Sequence, residues 1–362
     1  MKNTFGNSIA ITLFGESHGD AIGAVIDGIA PGIKIDSDYI RDRLSKRQAS
    51  GDISTSRKEA DEPIFLSGIK DGYTEGTPVA LIINNTNKQS SAYSALENTP
   101  RPSHADYTAE CKYHGYQDKR GGGHFSGRIT AALVAAGAIL SSALEKKGIY
   151  IGTHIKFLHG VKDREFGDLY DDVKALNSSH FPALDSACAD DMINEIRRVK
   201  AELNSVGGVL ETAVIGVPAG IGEPWFDTVE SMISHILFAI PGVKGVEFGD
   251  GFAITEKTGI EANDPLAICD GRIVTEKNSN GGINGGITNG MPIIFRTAIK
   301  PTPSISAEQK TVDMTTMEEK YISIGGRHDP AIIHRARAVV DACAAIAIAD
   351  LLTARYGTDY LA

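Results

Sequence analysis

The chain reads as an α+β protein in which largely antiparallel sheets pack on helices, and three observations lead there. Apolar residues at helical spacing and β-rich runs both recur along the chain. The two kinds of run do not alternate as strand, helix, strand, which argues against a doubly wound parallel sheet. Two early apolar runs flank the polar Gly15-Glu16-Ser17-His18-Gly19, as two strands flank a turn.

In chain order, Ile9 to Phe14 and Ile22 to Ile29 are the first strands, and Val79 to Ile83 is the next. Arg128 to Lys147 is a core helix, with Ile129, Leu133, Ala136, Leu140 and Leu144 on one side. Lys146 and Lys147 suit its carbonyl end and Gly148 stops it. Asp191 to Asn204 carries Met192, Ile193, Ile196, Val199 and Leu203 at the same spacing, with Asp190 as N-cap and Gly207-Gly208 as terminator. Asp227-Thr228-Val229-Glu230 resembles a capping box opening a helix through Val229, Met232, Ile233, Ile236 and Leu237. A last helix is expected from Pro330 to Tyr356, with Asp329 as N-cap and Pro330 at its first position. Val209 to Val217, Val246 to Ile254 and Met291 to Ile299 are further β-rich runs.

The 362 residues are 42% hydrophobic and 23% charged, enough for a large core, and no linker or low-complexity run divides them. One domain over 1–362 is expected. Cys111, Cys188, Cys269 and Cys343 lie far apart, which fits reduced thiols in a cytoplasm. The apolar run before Glu16 is too short for a signal-peptide core, and Ala131 to Leu140 and Ala342 to Ala349 are too short to cross a bilayer. A soluble, untargeted protein without a membrane partner is expected.

Thirty-six Lys and Arg against 46 Asp and Glu give a net charge of −10, which argues against a nucleic-acid partner. Arg41, Arg43, Lys46, Arg47, Arg57 and Lys58 nevertheless cluster against only Asp42 and Asp52. Such a cluster suits a small anion, because guanidinium groups grip phosphate or carboxylate with two donors; a solvated helix face is the alternative.

Gly15-Glu16-Ser17-His18-Gly19 has the spacing of a hydrolase nucleophile elbow, but that motif needs a helix directly after it, and here a strand follows. A serine hydrolase acting through Ser17 is thereby disfavoured, leaving a polar tip whose histidine exchanges protons near neutral pH. Arg120-Gly121-Gly122-Gly123-His124-Phe125-Ser126-Gly127-Arg128 is a glycine loop feeding a helix start, where backbone N–H groups favour anions. It is neither a P-loop nor a dinucleotide fingerprint, and a turn with Ser126 as N-cap is the plain alternative. A second glycine cluster, 281–290, leads into a strand ending at Lys300-Pro301-Thr302-Pro303-Ser304. None of the ten histidines forms a helical metal pair and Cys111 with His114 stand alone, so no metal is expected. His18, His104 and His328 each sit in polar, turn-rich segments.

Gly15-Glu16-Ser17-His18-Gly19, Arg101-Pro102-Ser103-His104-Ala105-Asp106-Tyr107, Arg120-Gly121-Gly122-Gly123 with Ser126 and Arg128, Lys300-Pro301-Thr302 with Ser304, and Gly326-Arg327-His328-Asp329-Pro330 follow one another along the chain. In this order they resemble the successive signatures of the chorismate synthase family. The resemblance implies a β-α-β sandwich assembled as a homotetramer. It also implies a lyase converting 5-enolpyruvylshikimate 3-phosphate to chorismate and phosphate by 1,4-elimination with reduced FMN. Ser17, Arg47, Arg57, Arg128 and Arg327 would hold the phosphorylated substrate. His18 would face the departing phosphate and His104 the flavin, with Asp329 assisting removal of the ring proton. His124, Phe125, Ser126, Pro241, Gly242, Gly285, Lys300, Pro301, Thr302, Pro303, Ser304 and Arg327 fall where the family holds FMN. Many relatives carry arginine and proline just after the position of Arg47, where this chain has Gln48-Ala49-Ser50, and His124-Phe125 stands where Arg-Ser is common. The chain lacks the long insertion of relatives that reduce their own flavin, so an external reductant is implied. The acidic stretch 163–191 lies outside the motifs and reads as a peripheral insertion.

Overall fold

The computed structural model describes residues 2–49, 51–55, 60–86, 98–325 and 329–362. The chain opens with β1 (Thr4–Phe5), β2 (Ala10–Gly15), β3 (Ala21–Asp27), α1 (Ser37–Arg47), β4 (Ile64–Ser67), β5 (Ile69–Lys70), β6 (Tyr73–Thr74) and β7 (Val79–Asn84). Among the described residues, an antiparallel sheet runs in the order β1-β2-β3-β7-β4. Alternation sends Ile22, Ala24 and Ile26 of β3, and Val79, Leu81 and Ile83 of β7, into the core. Gly15 pairs with Ile22, so Ser17 and His18 ride on the tip of a hairpin rather than on a strand-to-helix elbow.

There follow α2 (Asp106–Tyr113), α3 (Thr130–Lys146), β8 (Tyr150–Leu158), β9 (Val161–Lys162), α4 (Leu169–Ser178), α5 (Ser186–Ala201), β10 (Gly208–Ile215), α6 (Val229–Leu237) and β11 (Val243–Phe248). The remainder is α7 (Gly259–Ala262), β12 (Leu266–Cys269), β13 (Arg272–Thr275), β14 (Ile283–Asn284), β15 (Ile287–Thr288), β16 (Ile293–Ile299), β17 (Gln309–Asp313), β18 (Glu318–Ile322) and α8 (Ile333–Tyr356). A second antiparallel sheet runs β11-β16-β10-β8-β9. Between the sheets lie α3, packed on β3 and β7, and α8, packed on β8 and β10, the two helices also packing on each other. This is a β-α-β sandwich. The helices approach closely because Gly137 has no side chain: a Cβ there would stand 2.5 Å from that of Ala342. The span Gly127–Lys146 is long and apolar enough to cross a bilayer, contrary to the expectation from its shorter apolar core, yet 83% of its most apolar window is buried. A helix enclosed by two sheets has to be apolar on every side.

Several boundaries differ from the sequence reading. α5 starts at Ser186, where the Asp185 carboxylate accepts the Ala187 and Cys188 N–H groups at 2.7 and 3.2 Å, leaving Asp190 inside the helix. Thr228, not Asp227, caps α6 by accepting the Ser231 N–H at 2.9 Å, and Asp227 instead accepts the Asn7 side-chain amide at 3.3 Å. β11 ends at Phe248 because Gly249 and Gly251 take φ of +55° and +57°, and 251–256 becomes a 3-10 turn. Asp329 caps nothing: α8 begins at Ile333, and the carboxylate is engaged by Thr55 and Arg335.

Within the acidic stretch 163–191, α4 packs on β8, and the Leu176 and Ser179 carbonyls at its end accept from Arg337 of α8. Thr153 of β8 donates to Asp341 of α8 at 2.6 Å, whereas Gly152, on the opposite side, abuts Val173 of α4. The enclosed Asp163 carboxylate accepts the Leu184 and Asp185 N–H groups at 2.7 and 3.1 Å and meets His154 Nδ1 at 2.9 Å. His154 Nε2 meets Glu211 at 3.1 Å, and Glu211 also accepts from Lys156. Burial pulls the His154 pKa down, but hydrogen bonds to the two carboxylates outweigh it and the net shift is upward. A raised folded-state value contributes stability that is fully present below the unfolded value of about 6.5 and is lost as pH rises through the folded value. The melting temperature is therefore expected to fall further between pH 6 and pH 9 in the parent than in His154→Gln, and equal falls would remove His154 as the source.

Candidate active site

The hairpin tip is buried: Ser17 and His18 are 1% and 4% exposed. Ser17 Oγ lies 3.0 Å from His18 Nδ1 and donates to the Arg120 carbonyl at 3.3 Å, while the Ser17 N–H reaches the Gly123 carbonyl at 3.1 Å. The glycine loop thus closes directly over the tip. Gly121, at φ +68°, is required there, since a Cβ would fall 2.5 Å from His18 Cε1.

Two arginines converge beside it. Arg47 ends α1, and Arg128 lies in the 3-10 turn Gly127–Ile129 that feeds α3. Arg47 Nη2 donates to Asp61 Oδ2 at 2.8 Å, and Arg128 Nη1 donates to Asp61 Oδ1. The three side chains are 7%, 2% and 0% exposed. Burial alone would raise the Asp61 pKa, but the two guanidinium groups hold it below the ordinary carboxylate value. Arg128 Nε also donates to Asn85 Oδ1 at 2.9 Å, and Asn85 Nδ2 donates to the Glu16 and Gly19 carbonyls at 2.9 and 3.0 Å. Asn85 therefore ties the arginine pair to the tip that bears His18.

Asp329, in the segment just before α8, joins the same region. Its Oδ1 accepts the Thr55 N–H at 2.7 Å and its Oδ2 pairs with Arg335 Nη1 at 2.5 Å, while Arg335 Nε donates to the Arg47 carbonyl at 2.8 Å. Next to it, His334 Nε2 meets Ser54 Oγ at 2.8 Å, and burial depresses its pKa to about 4. Its Nδ1 is buried without a partner among the described residues.

His104 forms the neighbouring wall. Its Nδ1 stands 2.6 Å from Asp106 Oδ1, and Arg101 grips Asp106 with Nε and Nη2 at 2.8 Å each. Burial would raise the Asp106 pKa, yet Arg101 and His104 hold it far below the usual range. Arg101 also donates to the Gly121 carbonyl at 2.7 Å, linking the His104 segment to the loop over His18. Lys300 Nζ donates to the Ser103 carbonyl at 2.6 Å, and the Lys300 N–H reaches the Gly242 carbonyl at 2.9 Å, which gathers Pro241-Gly242 and the start of 300–304 around His104. Burial, with Lys244 nearby, lowers the Lys300 pKa. Thr302 Oγ1 is buried without a partner among the described residues, while its carbonyl accepts from Ser205 Oγ at 2.7 Å.

His124 donates through Nδ1 to the Gly15 carbonyl at 2.8 Å, Phe125 meets Tyr113 edge-on at 6.0 Å and lines a cleft with His104 and Met314, and Ser126 caps the turn by accepting the Arg128 N–H at 3.2 Å. Gly285 is set apart, exposed at the β14–β15 tip. The adjoining Gly286 carbonyl accepts the Val229 N–H at 3.0 Å, at the end of α6 opposite Pro241-Gly242. Arg57, Arg327 and His328 lie outside the described residues. Among the described residues no group of three or more His, Cys, Asp or Glu is arranged to hold a metal ion. Sequence reading missed Asp61, Asn85 and Arg335. Only Asp61 left a signal, an acid just behind the basic run ending at Lys58.

A β-α-β sandwich that brings buried arginines, two histidines and a carboxylate near a glycine loop has the groups that an enzyme binding a small anion and moving protons would use. The model of the chorismate synthase family matches residues 9–353. Chorismate synthase of Pyrococcus abyssi is 46% identical over 351 residues, covering 97% of both chains, and that of Thermococcus kodakarensis is 44% identical over 350 residues, with the same coverage. A solved crystal structure of chorismate synthase superimposes with a TM-score of 0.77 at 26% identity, covering 98% of this chain and 94% of the other. The chain belongs to the chorismate synthase family, and its activity is that of a carbon–oxygen lyase eliminating phosphate to form chorismate.

Proposed function

We propose that the Asp61-bridged arginines form the anion clamp of this reaction, gripping 5-enolpyruvylshikimate 3-phosphate while His18 meets the departing phosphate. The observation that carries this is the convergence of Arg47 and Arg128 on one enclosed carboxylate, tied by Asn85 to the tip bearing His18. Fixed cations stabilise charge developing on a leaving phosphate without reorganising during the step. His18 supplies a proton to it, Asp329 takes up the proton lost from the ring, and His104, oriented by Asp106, works on the cofactor side. Ser17 fixes the His18 ring through Nδ1.

The neighbouring residues fit reduced FMN. Thr302 Oγ1 is a buried donor in need of an acceptor, Lys300 is a cation beside it in sequence, and Phe125 offers an apolar ring at the cleft wall. His124, Phe125, Ser126, Pro241, Gly242, Lys300, Pro301, Thr302, Pro303 and Ser304 would hold the cofactor, with Gly285 and Arg327 completing the set. When bound, reduced FMN supplies transient electron density as phosphate leaves, with no net redox change. A cytoplasmic homotetramer fed by an external reductant belongs to the same reading.

The test is anaerobic: photoreduced FMN plus the enolpyruvyl substrate should release phosphate, whereas oxidised FMN with NADPH in air should release little. Robust aerobic turnover on NADPH would contradict the need for an external reductant, and no phosphate release would leave a flavin-binding protein without this chemistry. Arg47→Lys replaces a two-donor fork by a point charge. Losing one charge-assisted interaction costs about 1.5–3 kcal/mol, so kcat/KM should fall roughly tenfold to a hundredfold. Parental kinetics would take Arg47 out of the clamp.

A further inference from the structure

We infer that Asp61 is a positioning residue for the reaction: its enclosed carboxylate sets the spacing and tilt of the two guanidinium groups that receive the substrate's phosphate. This rests on the anion-clamp reading above. Each Asp61 oxygen serves a different arginine, Oδ2 taking Arg47 Nη2 at 2.8 Å and Oδ1 taking Arg128 Nη1. Both arginines are nearly enclosed, so neither guanidinium has bulk water to hold it in place, and their mutual repulsion would otherwise drive them apart. Arg128 is fixed on its other edge by Asn85 Oδ1 at 2.9 Å, and its Nη2 reaches the Asn84 carbonyl at 3.3 Å. Arg47 is less constrained, with a long contact from Nη1 to the Gly127 carbonyl at 3.4 Å. Its Nε is buried and has no partner among the described residues. That orphaned donor needs an acceptor, and a bound anion supplies one. Asp61 thus leaves the pair with one net positive charge and fixes where it is presented.

Two physical effects pull in opposite directions and make the inference testable. Removing the carboxylate charge leaves two facing guanidinium groups with a net charge of +2, which by electrostatics alone would tighten binding of a phosphate. If Asp61 acts through geometry, the same change weakens binding, because the arginines separate. Full-length Asp61→Asn with photoreduced FMN should show a KM for the enolpyruvyl substrate raised about tenfold or more, a smaller change in kcat, and FMN affinity within about twofold of the parent. Asp61→Glu retains the charge but moves it by one methylene. It should fold even if the asparagine variant does not, and it too should raise KM with FMN affinity unchanged. Parental KM in Asp61→Glu, or tighter substrate binding in Asp61→Asn, would overturn the inference. A parallel fall in FMN affinity and melting temperature with no selective change in KM would also overturn it, since that marks a merely structural residue. Absence of turnover in the parent protein would instead defeat the clamp reading itself.

Discussion

Asp329→Asn is expected to fold and bind FMN yet lose two or more decades of turnover. An amide oxygen still accepts the Thr55 N–H, which preserves the contact seen at 2.7 Å, but it cannot take up a proton. General acid and base roles are typically worth about 10²–10⁴-fold in rate. The variant also breaks the pair with Arg335 and leaves that guanidinium short of a partner, which costs about 1–3 kcal/mol of stability. Because Asp329 does not cap α8, that loss comes from the ion pair rather than from the helix start. Single-turnover phosphate release, measured beside FMN titration and thermal melting, separates the two effects. Near-parental turnover would return Asp329 to a structural role, clamping Thr55 to α8.

Replacing His18 should have the second large effect. His18→Ala removes a buried ring that contacts Ser17 Oγ and packs under Gly121, and with it the proton donor proposed for the departing phosphate. A fall of about two to four decades in kcat is expected, with KM changing less because Arg47 and Arg128 remain. Ser17→Ala, by contrast, should retain more activity, since it loses the hydrogen bonds to the His18 ring and to the Arg120 carbonyl but keeps the imidazole itself. If Ser17→Ala were as damaging as His18→Ala, and a fluorophosphonate labelled Ser17, the site would be acting through a serine nucleophile instead.

The principal elements of the fold were legible because burial imposes a period. β3 and β7 alternate, α3 carries an apolar run over most of its length, α8 carries another from Ala342 to Ala349, and α+β follows from the failure of strands and helices to alternate. Helix starts were less legible. Asp185, Asp190, Thr228 and Asp227 all have capping side chains, and only the chain path selects which oxygen meets a free N–H.

The order of the motifs carried the family resemblance that implies the reaction class, while a polar hairpin tip with a histidine, a glycine loop feeding a helix, a basic run and the Asp329-Pro330 step can each be read residue by residue. Which of these residues meet was decided only by the tertiary structure. Asp61 lies 14 residues from Arg47 and 67 from Arg128, and Asp329 bonds Thr55 across 274 residues. A sequence states which charges exist, but the energy of a charge depends on distance and on exclusion from water. Both are set by how α1 packs on α3 and α8 and how those two helices sit between the sheets. The same basic run therefore contributes Arg41, a solvated side chain on the face of α1, and Arg47, an enclosed member of the clamp.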